Sequence, residues 1–190
     1  MEYRMSYKAP FATTTDWGIM QVGSGLSVTN GIVSANAVPA QSNFGFFYDT
    51  TAQTNPVADT PNLVSFNTTA VNNQVTVVGG TQITVTNAGT YRKVFTVSLQ
   101  KTNAGAPTTT SLWLRLNGVD VTNSRQDISV PNQTSLLFVT GSYTLNMAAG
   151  DNIQMVWSSP DTAIQLTFLP ATVGPVRPAT PSAKITLSTI

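Results

Sequence analysis

Short turn sequences divide most of this chain into brief segments of alternating apolar and polar residues. The turns read VVGGT (77–81), NAGT (87–90), NAGAP (103–107), NGVD (117–120) and AAGD (148–151). Glycine adopts backbone angles that strain other residues, so such clusters mark the ends of strands. Their spacing is typical of an antiparallel β-sandwich or jelly roll. The segments between them predict strands near residues 43–48, 63–66, 74–78, 81–86, 91–101, 111–121, 135–146, 151–158, 163–169 and 183–190.

The composition favours strands over helices and excludes two classes of partner. Charged residues make up 9% of the chain and glutamate occurs once, at Glu2, whereas exposed helix faces normally carry Glu, Lys and Arg. The formal net charge is +1, from nine basic and eight acidic residues. Such a balance provides no broad field for an anionic polymer or lipid surface. We therefore expect neither nucleic acid nor a membrane as partner.

The chain contains no cysteine and no histidine, which removes disulfides, thiol and imidazole chemistry, and most zinc and copper sites. The remaining acidic candidates are scattered, show no calcium-loop spacing, and fall mostly where turns favour aspartate. We expect no catalytic residue, no cofactor and no metal site, and hence a protein that is not an enzyme. The acidic residues considered are Asp49, Asp59, Asp120, Asp127, Asp151 and Asp161.

The first 42 residues differ from the rest and predict an extended anchoring arm followed by a short β-hairpin linker. Asn30–Gly31 lies between two short β-branched runs, which is a strong hairpin signal. Before it, cationic and aromatic side chains alternate in a segment that is either an ordered, partner-bound arm or a disordered terminus. The candidate anchoring residues are Arg4, Tyr7, Lys8, Phe11 and Trp17. Residues 43–190 form the predicted jelly-roll domain.

Two further segments predict a core strand and a surface segment, respectively. In YRKVFTVSLQK (91–101) the bulky residues Tyr91, Phe95, Val97 and Leu99 share one side, which predicts a single core face. PATVGPVRPATP (170–181) contains four prolines and predicts an extended excursion over the surface rather than a central strand.

The segment SLWLRLNGVDV (111–121) has large groups on both faces. Its leucines share one face, and Trp113 and Arg115 share the other. Tryptophan and arginine are enriched at subunit contacts, so one reading places Trp113, Arg115 and Trp157 at a subunit interface. The other reading places both tryptophans in the sandwich core.

If Arg115 is buried, it requires an acceptor, because a guanidinium is costly to bury without one. Asp120, Asp127 and Asp161 are the candidates, and the sequence does not choose among them.

The stretches NAGTYRKVFTVSLQK, LWLRLNGVDV, YTLNMAAGDNIQMVW and ITLSTI resemble the jelly roll of the tumour-necrosis-factor and complement-globular-head superfamily. The resemblance covers roughly residues 43–190 and implies a compact homotrimer. The opening FGFFYDTTAQTNPVADTPNLVSFNTT and the ending from WSSPD onward look similar to small domains in virion proteins of tailed bacteriophages.

This resemblance implies a virion structural protein, assembled in a host cytoplasm. We expect a trimeric capsid decoration, or cement, protein whose arm docks on the major capsid protein or another virion protein. The alternative is a receptor-binding fibre or tip protein whose loops 103–110 and 122–134 recognise a host-surface glycan or protein. A signalling ligand of the same superfamily is a third reading, which the absence of a secretion signal disfavours.

Overall fold

The computed structural model describes residues 26–29, 32–35, 42–132 and 136–190, and the regular elements of this part are all β-strands. The chain divides into two compact units, residues 1–41 and 42–190. In the first unit, β1 (Leu26–Thr29) pairs antiparallel with β2 (Ile32–Ala35), so that Thr29 faces Ile32 across the position of the Asn30–Gly31 pair. The candidate anchoring residues Arg4, Tyr7, Lys8, Phe11 and Trp17 lie outside the described residues.

The second unit contains the remaining described strands. In chain order they are β3 (Phe44–Asp49), β4 (Gln53–Thr54), β5 (Asn62–Leu63), β6 (Thr68–Asn73), β7 (Val75–Val78), β8 (Gln82–Val85), β9 (Gly89–Lys101), β10 (Thr108–Leu116), β11 (Val119–Asp120), β12 (Gln126–Val130), β13 (Leu136–Met147), β14 (Asn152–Ser158), β15 (Ile164–Leu166), β16 (Thr172–Val173), β17 (Val176–Arg177) and β18 (Ala183–Thr189).

Apart from β16 and β17, which pair only with each other, these strands form two antiparallel sheets packed on a shared core. Sheet 1 has the order β11-β10-β14-β8-β7, with β12 also paired to β10 and β5 to β14. Sheet 2 has the order β4-β15-β9-β18-β3-β6, with β13 paired to the other edge of β9. Strands distant in sequence therefore lie side by side, as in a jelly roll. The predicted all-β, antiparallel jelly-roll sandwich is confirmed.

The core lies between the sheets and uses one face of each long strand. Tyr91, Phe95, Val97 and Leu99 of β9 are buried, as the alternation predicts. Leu112 and Leu114 of β10 are buried opposite them in sheet 1, joined by side chains of β14. The leucine face of SLWLRLNGVDV thus fills the sandwich.

Two features differ in detail from the pattern predicted by alternation. The polar strands β6 and β12 lack a continuous apolar face, because most of their side chains remain at least partly exposed. The proline-rich segment is exposed as predicted, but it contains a small hairpin, β16–β17, closed at its base by a bridge between Leu169 and Thr180.

Candidate ligand groove and interaction faces

The hairpin that joins β10 to β11 determines the position of the first charged pair. Asn117 and Gly118 have φ angles of 49° and 82°, which match the two positive angles of a type I′ turn. A two-residue turn of this kind pairs Leu116 with Val119 and Arg115 with Asp120. The NG sequence therefore places the Asp120 carboxylate directly across from the Arg115 guanidinium.

Asp120 fixes both predicted interface residues of β10. Its Oδ1 accepts hydrogen bonds from Arg115 Nε at 2.8 Å and from Trp113 Nε1 at 2.9 Å. These two bonds, that of Arg115 first, hold the pKa of Asp120 below its ordinary value. The structure thus selects Asp120 from the three candidate partners of Arg115, and that partner belongs to the same chain.

A second charged pair, between Arg125 and Asp127, lies at the start of β12. Register places Ser111 opposite Asp127, whose Oδ1 accepts hydrogen bonds from Ser111 Oγ at 2.6 Å and from Arg125 Nε at 2.7 Å. The bond from Arg125 is the larger cause of the lowered pKa of the Asp127 carboxyl. The third candidate, Asp161, pairs elsewhere, with Lys101.

Beside the first two pairs lies a groove of about 450 Å³ on the outward face of sheet 1, which is lined by Asp120 and Arg125 but not by Arg115 or Asp127. Trp113 and Ser111 contribute from β10, and a loop that precedes β5 adds Asp59. The other lining residues include Asp120, Asn123 and Arg125. We call this site the Trp113 groove.

Hydrogen bonds fix the walls of the Trp113 groove. The Asp59 N–H donates to the Ser159 carbonyl at 2.9 Å, which ties the loop before β5 to the end of β14. On the other side, Ser124 Oγ donates to the Val121 carbonyl at 2.7 Å and accepts from the Leu114 N–H at 3.0 Å. These hydrogen bonds hold the loop before β5 and the segment after β11 to the strands on either side of the groove.

The interface prediction has different outcomes for its three residues. Trp157 is 1% exposed and packs in the core between the sheets, so its assignment to a subunit interface is wrong. Trp113 and Arg115 are partly exposed on the outward face, and their place in a subunit contact stays a prediction. The acceptor that Arg115 requires is Asp120 of the same chain.

The outward face of sheet 2 is a second candidate surface, which sequence reasoning did not single out. It exposes Phe44 (38%), Val94 (37%) and Phe138 (57%), and a shallow depression of about 250 Å³ lies between Phe46 and Lys184. The outward positions of the described strands β3, β9, β13 and β18 carry no carboxylate. We call this surface the sheet 2 face.

The groove and the sheet 2 face differ in how far sequence could have found them. The NG turn gives the Arg115–Asp120 pairing by hairpin register alone. Asp59 lines the same groove as Trp113 only because the tertiary fold brings its loop there, so no local sequence pattern predicts its position. The exposed aromatics of β3 and β13 give a signal, because Phe44, Phe46 and Phe138 fall at outward positions once the strand phase is known.

Two further classes of site were sought in the described part of the chain. It contains no group of three or more His, Cys, Asp or Glu side chains that could hold a metal ion. Its residues include no helix with the length and apolar character needed to cross a bilayer.

Comparison with solved structures identifies the class of fold. Murine APRIL, in a crystal structure at pH 5.0, superposes with a TM-score of 0.51 and 10% sequence identity, covering 79% of this chain and 100% of that chain. The globular domain of the zebrafish complement 1qA protein gives a TM-score of 0.46 and 16% identity, covering 78% and 96%. No family model and no curated protein sequence matches the chain. The domain has a jelly-roll fold similar to that of murine APRIL, and the likeness is one of fold alone.

Proposed function

We propose that this chain is a non-enzymatic structural protein of a virion, which forms a homotrimer and stabilises the capsid shell as a decoration protein. The observation that carries the proposal is the sheet 2 face. A phenylalanine that is 57% exposed, beside further apolar residues on a regular strand surface, is typical of a face that a partner covers. A second and a third copy of the chain are the partners proposed.

The composition of the sheet 2 face suits contact between copies. Cross-strand register aligns Ser142, Val94, Thr186 and Phe46 in one row, so apolar and small polar side chains alternate across four strands. Arg92 and Lys184 lie in the adjacent rows and keep the face cationic. Small hydroxyl and apolar groups pack closely without leaving a buried charge unpaired.

Attachment to the shell is assigned to the N-terminal unit. This unit comprises residues 1–41. Arg4, Lys8 and the aromatic residues Tyr7, Phe11 and Trp17 supply side chains suited to docking on the major capsid protein or another virion protein. Three arms on one trimer act at high effective concentration, which makes weak individual contacts sufficient.

The test of this function is binding to phage heads that lack decoration. The full chain and a variant without residues 1–20 are mixed with such heads and sedimented, and the bound protein is quantified. We expect the full chain to bind and to raise the temperature at which the heads release DNA, whereas the truncated chain does neither. Absence of binding by a full-length trimer would contradict the decoration role.

A second candidate function is receptor recognition, and the Trp113 groove favours it. Asn123 and Arg125 of the groove belong to the predicted recognition loop 122–134. Adsorption to host cells separates the two functions, because a decoration protein binds heads and a receptor-binding protein binds cells. A chain that adsorbs to cells and ignores heads would favour the second candidate.

A further inference from the structure

The Trp113 groove combines an aromatic side chain held by a hydrogen bond with polar atoms that have no hydrogen-bond partner among the described residues. The indole N–H of Trp113 donates to Asp120, which fixes the orientation of the ring in the groove. A sugar ring has one face rich in C–H groups and a rim of hydroxyls, and a large amphipathic aromatic ring suits that combination. The half-buried Trp113 provides the surface against which such a ring stacks.

The carboxylates and guanidiniums beside Trp113 keep hydrogen-bonding capacity for a ligand. Asp120 and Asp127 accept their described bonds through Oδ1 alone, which leaves Oδ2 of each carboxylate open among the described residues. Arg115 and Arg125 bond through Nε, so their terminal nitrogens remain as donors. Planar groups with paired donors and acceptors match adjacent sugar hydroxyls.

The charge of the groove selects the class of sugar. Each guanidinium is already neutralised by a carboxylate, at 2.8 Å for Arg115–Asp120 and 2.7 Å for Arg125–Asp127. Asp59 adds a further negative charge at the wall. Carboxylates therefore outnumber guanidiniums at this site. They would repel the negative charge of a sialylated or sulfated ligand and so disfavour its binding. The groove therefore suits a neutral ligand.

Size and shape agree with a small polar ligand rather than a protein segment. The volume of about 450 Å³ falls within the range of roughly 300–1,000 Å³ for small-molecule sites. The lining residues are mostly polar, whereas an apolar peptide would require an apolar groove. From these observations we infer that the Trp113 groove binds a neutral oligosaccharide through stacking on Trp113 and hydrogen bonds to Asp120, Asn123 and Arg125.

This inference gives the second candidate function its ligand class and does not depend on capsid attachment. The first experiment applies the full chain to an array of neutral oligosaccharides built from glucose, galactose, mannose and N-acetylglucosamine, beside sialylated and sulfated sets. We expect binding within the neutral set. Binding confined to the acidic sets, or no binding at all, would overturn the inference.

Variants then locate the binding site. Trp113→Ala and Asp120→Asn are expected to weaken binding of the best neutral oligosaccharide by roughly tenfold or more, because removal of a central aromatic or its anchor removes a dominant contact. The matched control is Arg177→Ala, which removes an exposed cation on the β16–β17 hairpin and is expected to bind as the parent does. Circular dichroism confirms that each variant retains its fold. Equal binding by all folded variants would overturn the assignment to this groove.

A mass measurement separates this inference from the predicted subunit contact. If Trp113 and Arg115 lie at an interface between copies, the Trp113→Ala, Arg115→Ala double variant loses its oligomeric mass, and the groove is not free for a sugar. We expect the double variant to keep its mass and its binding to phage heads while it loses oligosaccharide binding. Loss of mass would overturn the inference, whereas loss of head binding by the arm truncation alone would leave it standing.

Discussion

Lys93 is an ionisable residue placed where an apolar residue is expected. It lies on the core side of β9 between Tyr91 and Phe95, its side chain is fully buried, and its Nζ has no hydrogen-bond partner among the described residues. Burial lowers the pKa of this amine to about 8, because the charged form loses its hydration. The domain therefore carries a destabilising charge at neutral pH.

Replacement of Lys93 by methionine is expected to stabilise the protein at pH 7 by about 2–3 kcal/mol, since one unit of pKa corresponds to about 1.4 kcal/mol. Between pH 8 and 10 the unfolded parent binds more protons than the folded one, so parent stability rises with pH and the advantage of Lys93→Met shrinks. Urea denaturation at pH 7 and 9.5 measures both effects. The exposed Arg177→Met is the control, and an advantage of Lys93→Met that is equal at both pH values would contradict this explanation.

Gly141 fills a position where a side chain would collide with the core. It lies on β13 opposite Phe95, and a Cβ there would overlap the Phe95 ring. Gly141→Ala is therefore expected to lower the free energy of unfolding by about 1–3 kcal/mol, as overpacked cores do. Thermal unfolding checks this, with the exposed Thr144→Ala in the same strand as control. Equal stability of the two variants would show that the ring moves aside at no cost.

At the scale of elements, one ion pair joins the end of β9 to the loop between β14 and β15. Lys101 Nζ lies 2.7 Å from Asp161 Oδ2, and it also donates to the Ala106 carbonyl at 2.8 Å. Lys101 is almost fully buried, so its charged amine links three segments in the interior: the end of β9, the loop before β10 and the loop before β15. The hydrogen bond from Lys101 is the largest cause of the lowered pKa of Asp161.

Asp161→Asn is expected to destabilise the protein by about 2–3 kcal/mol at pH 6, because it leaves the Lys101 charge buried without its carboxylate. The depressed pKa of Asp161 gives stability that is present above pH 4 and is lost as pH falls through the folded value. The difference between parent and variant should thus shrink toward pH 2 in denaturant titrations. Asp127→Asn, in an exposed pair, is the control and should change stability little at any pH. A constant difference across this pH range would exclude the ion pair as its source.

Strands with strict alternation could be predicted from the sequence, and those without it could not. The side-chain pattern of YRKVFTVSLQK predicts both the strand and its buried face, because the period of two is interrupted at core positions only by Lys93 and the terminal Lys101. The strands β6 and β12 are stabilised by pairing with β3 and β10 rather than by an apolar face of their own. The alternation in LWLRL predicts the outward position of Trp113, whereas the wall containing Asp59 depends on the loop before β5.

For Trp157, the sequence allowed two positions and the structure decides between them. In β14 the side chains of both faces are largely buried, and β5 pairs with the edge of this strand. Alternation therefore loses its power to separate core from interface in this strand. A central strand covered on both sides needs the tertiary structure to place each residue.

Considered as a whole, the molecule has a different surface for each proposed contact. The sheet 2 face is proposed to join copies of the chain, the Trp113 groove to bind a neutral sugar, and the N-terminal unit to hold the shell. Because the groove is on the outward face of sheet 1, a trimer joined through sheet 2 leaves it accessible.

The proposed trimer and its contact through the sheet 2 face are tested by the mass of the full chain and of two variants, measured by light scattering. We expect the parent at three times the chain mass of 20.1 kDa. Val94→Arg should reduce this mass, since it adds a third cation near Arg92 and Lys184 on the sheet 2 face. Val119→Arg, at a 71% exposed position on the β10–β11 hairpin, should remain trimeric. A monomeric parent, or a Val94→Arg variant that keeps the trimer mass, would contradict the account.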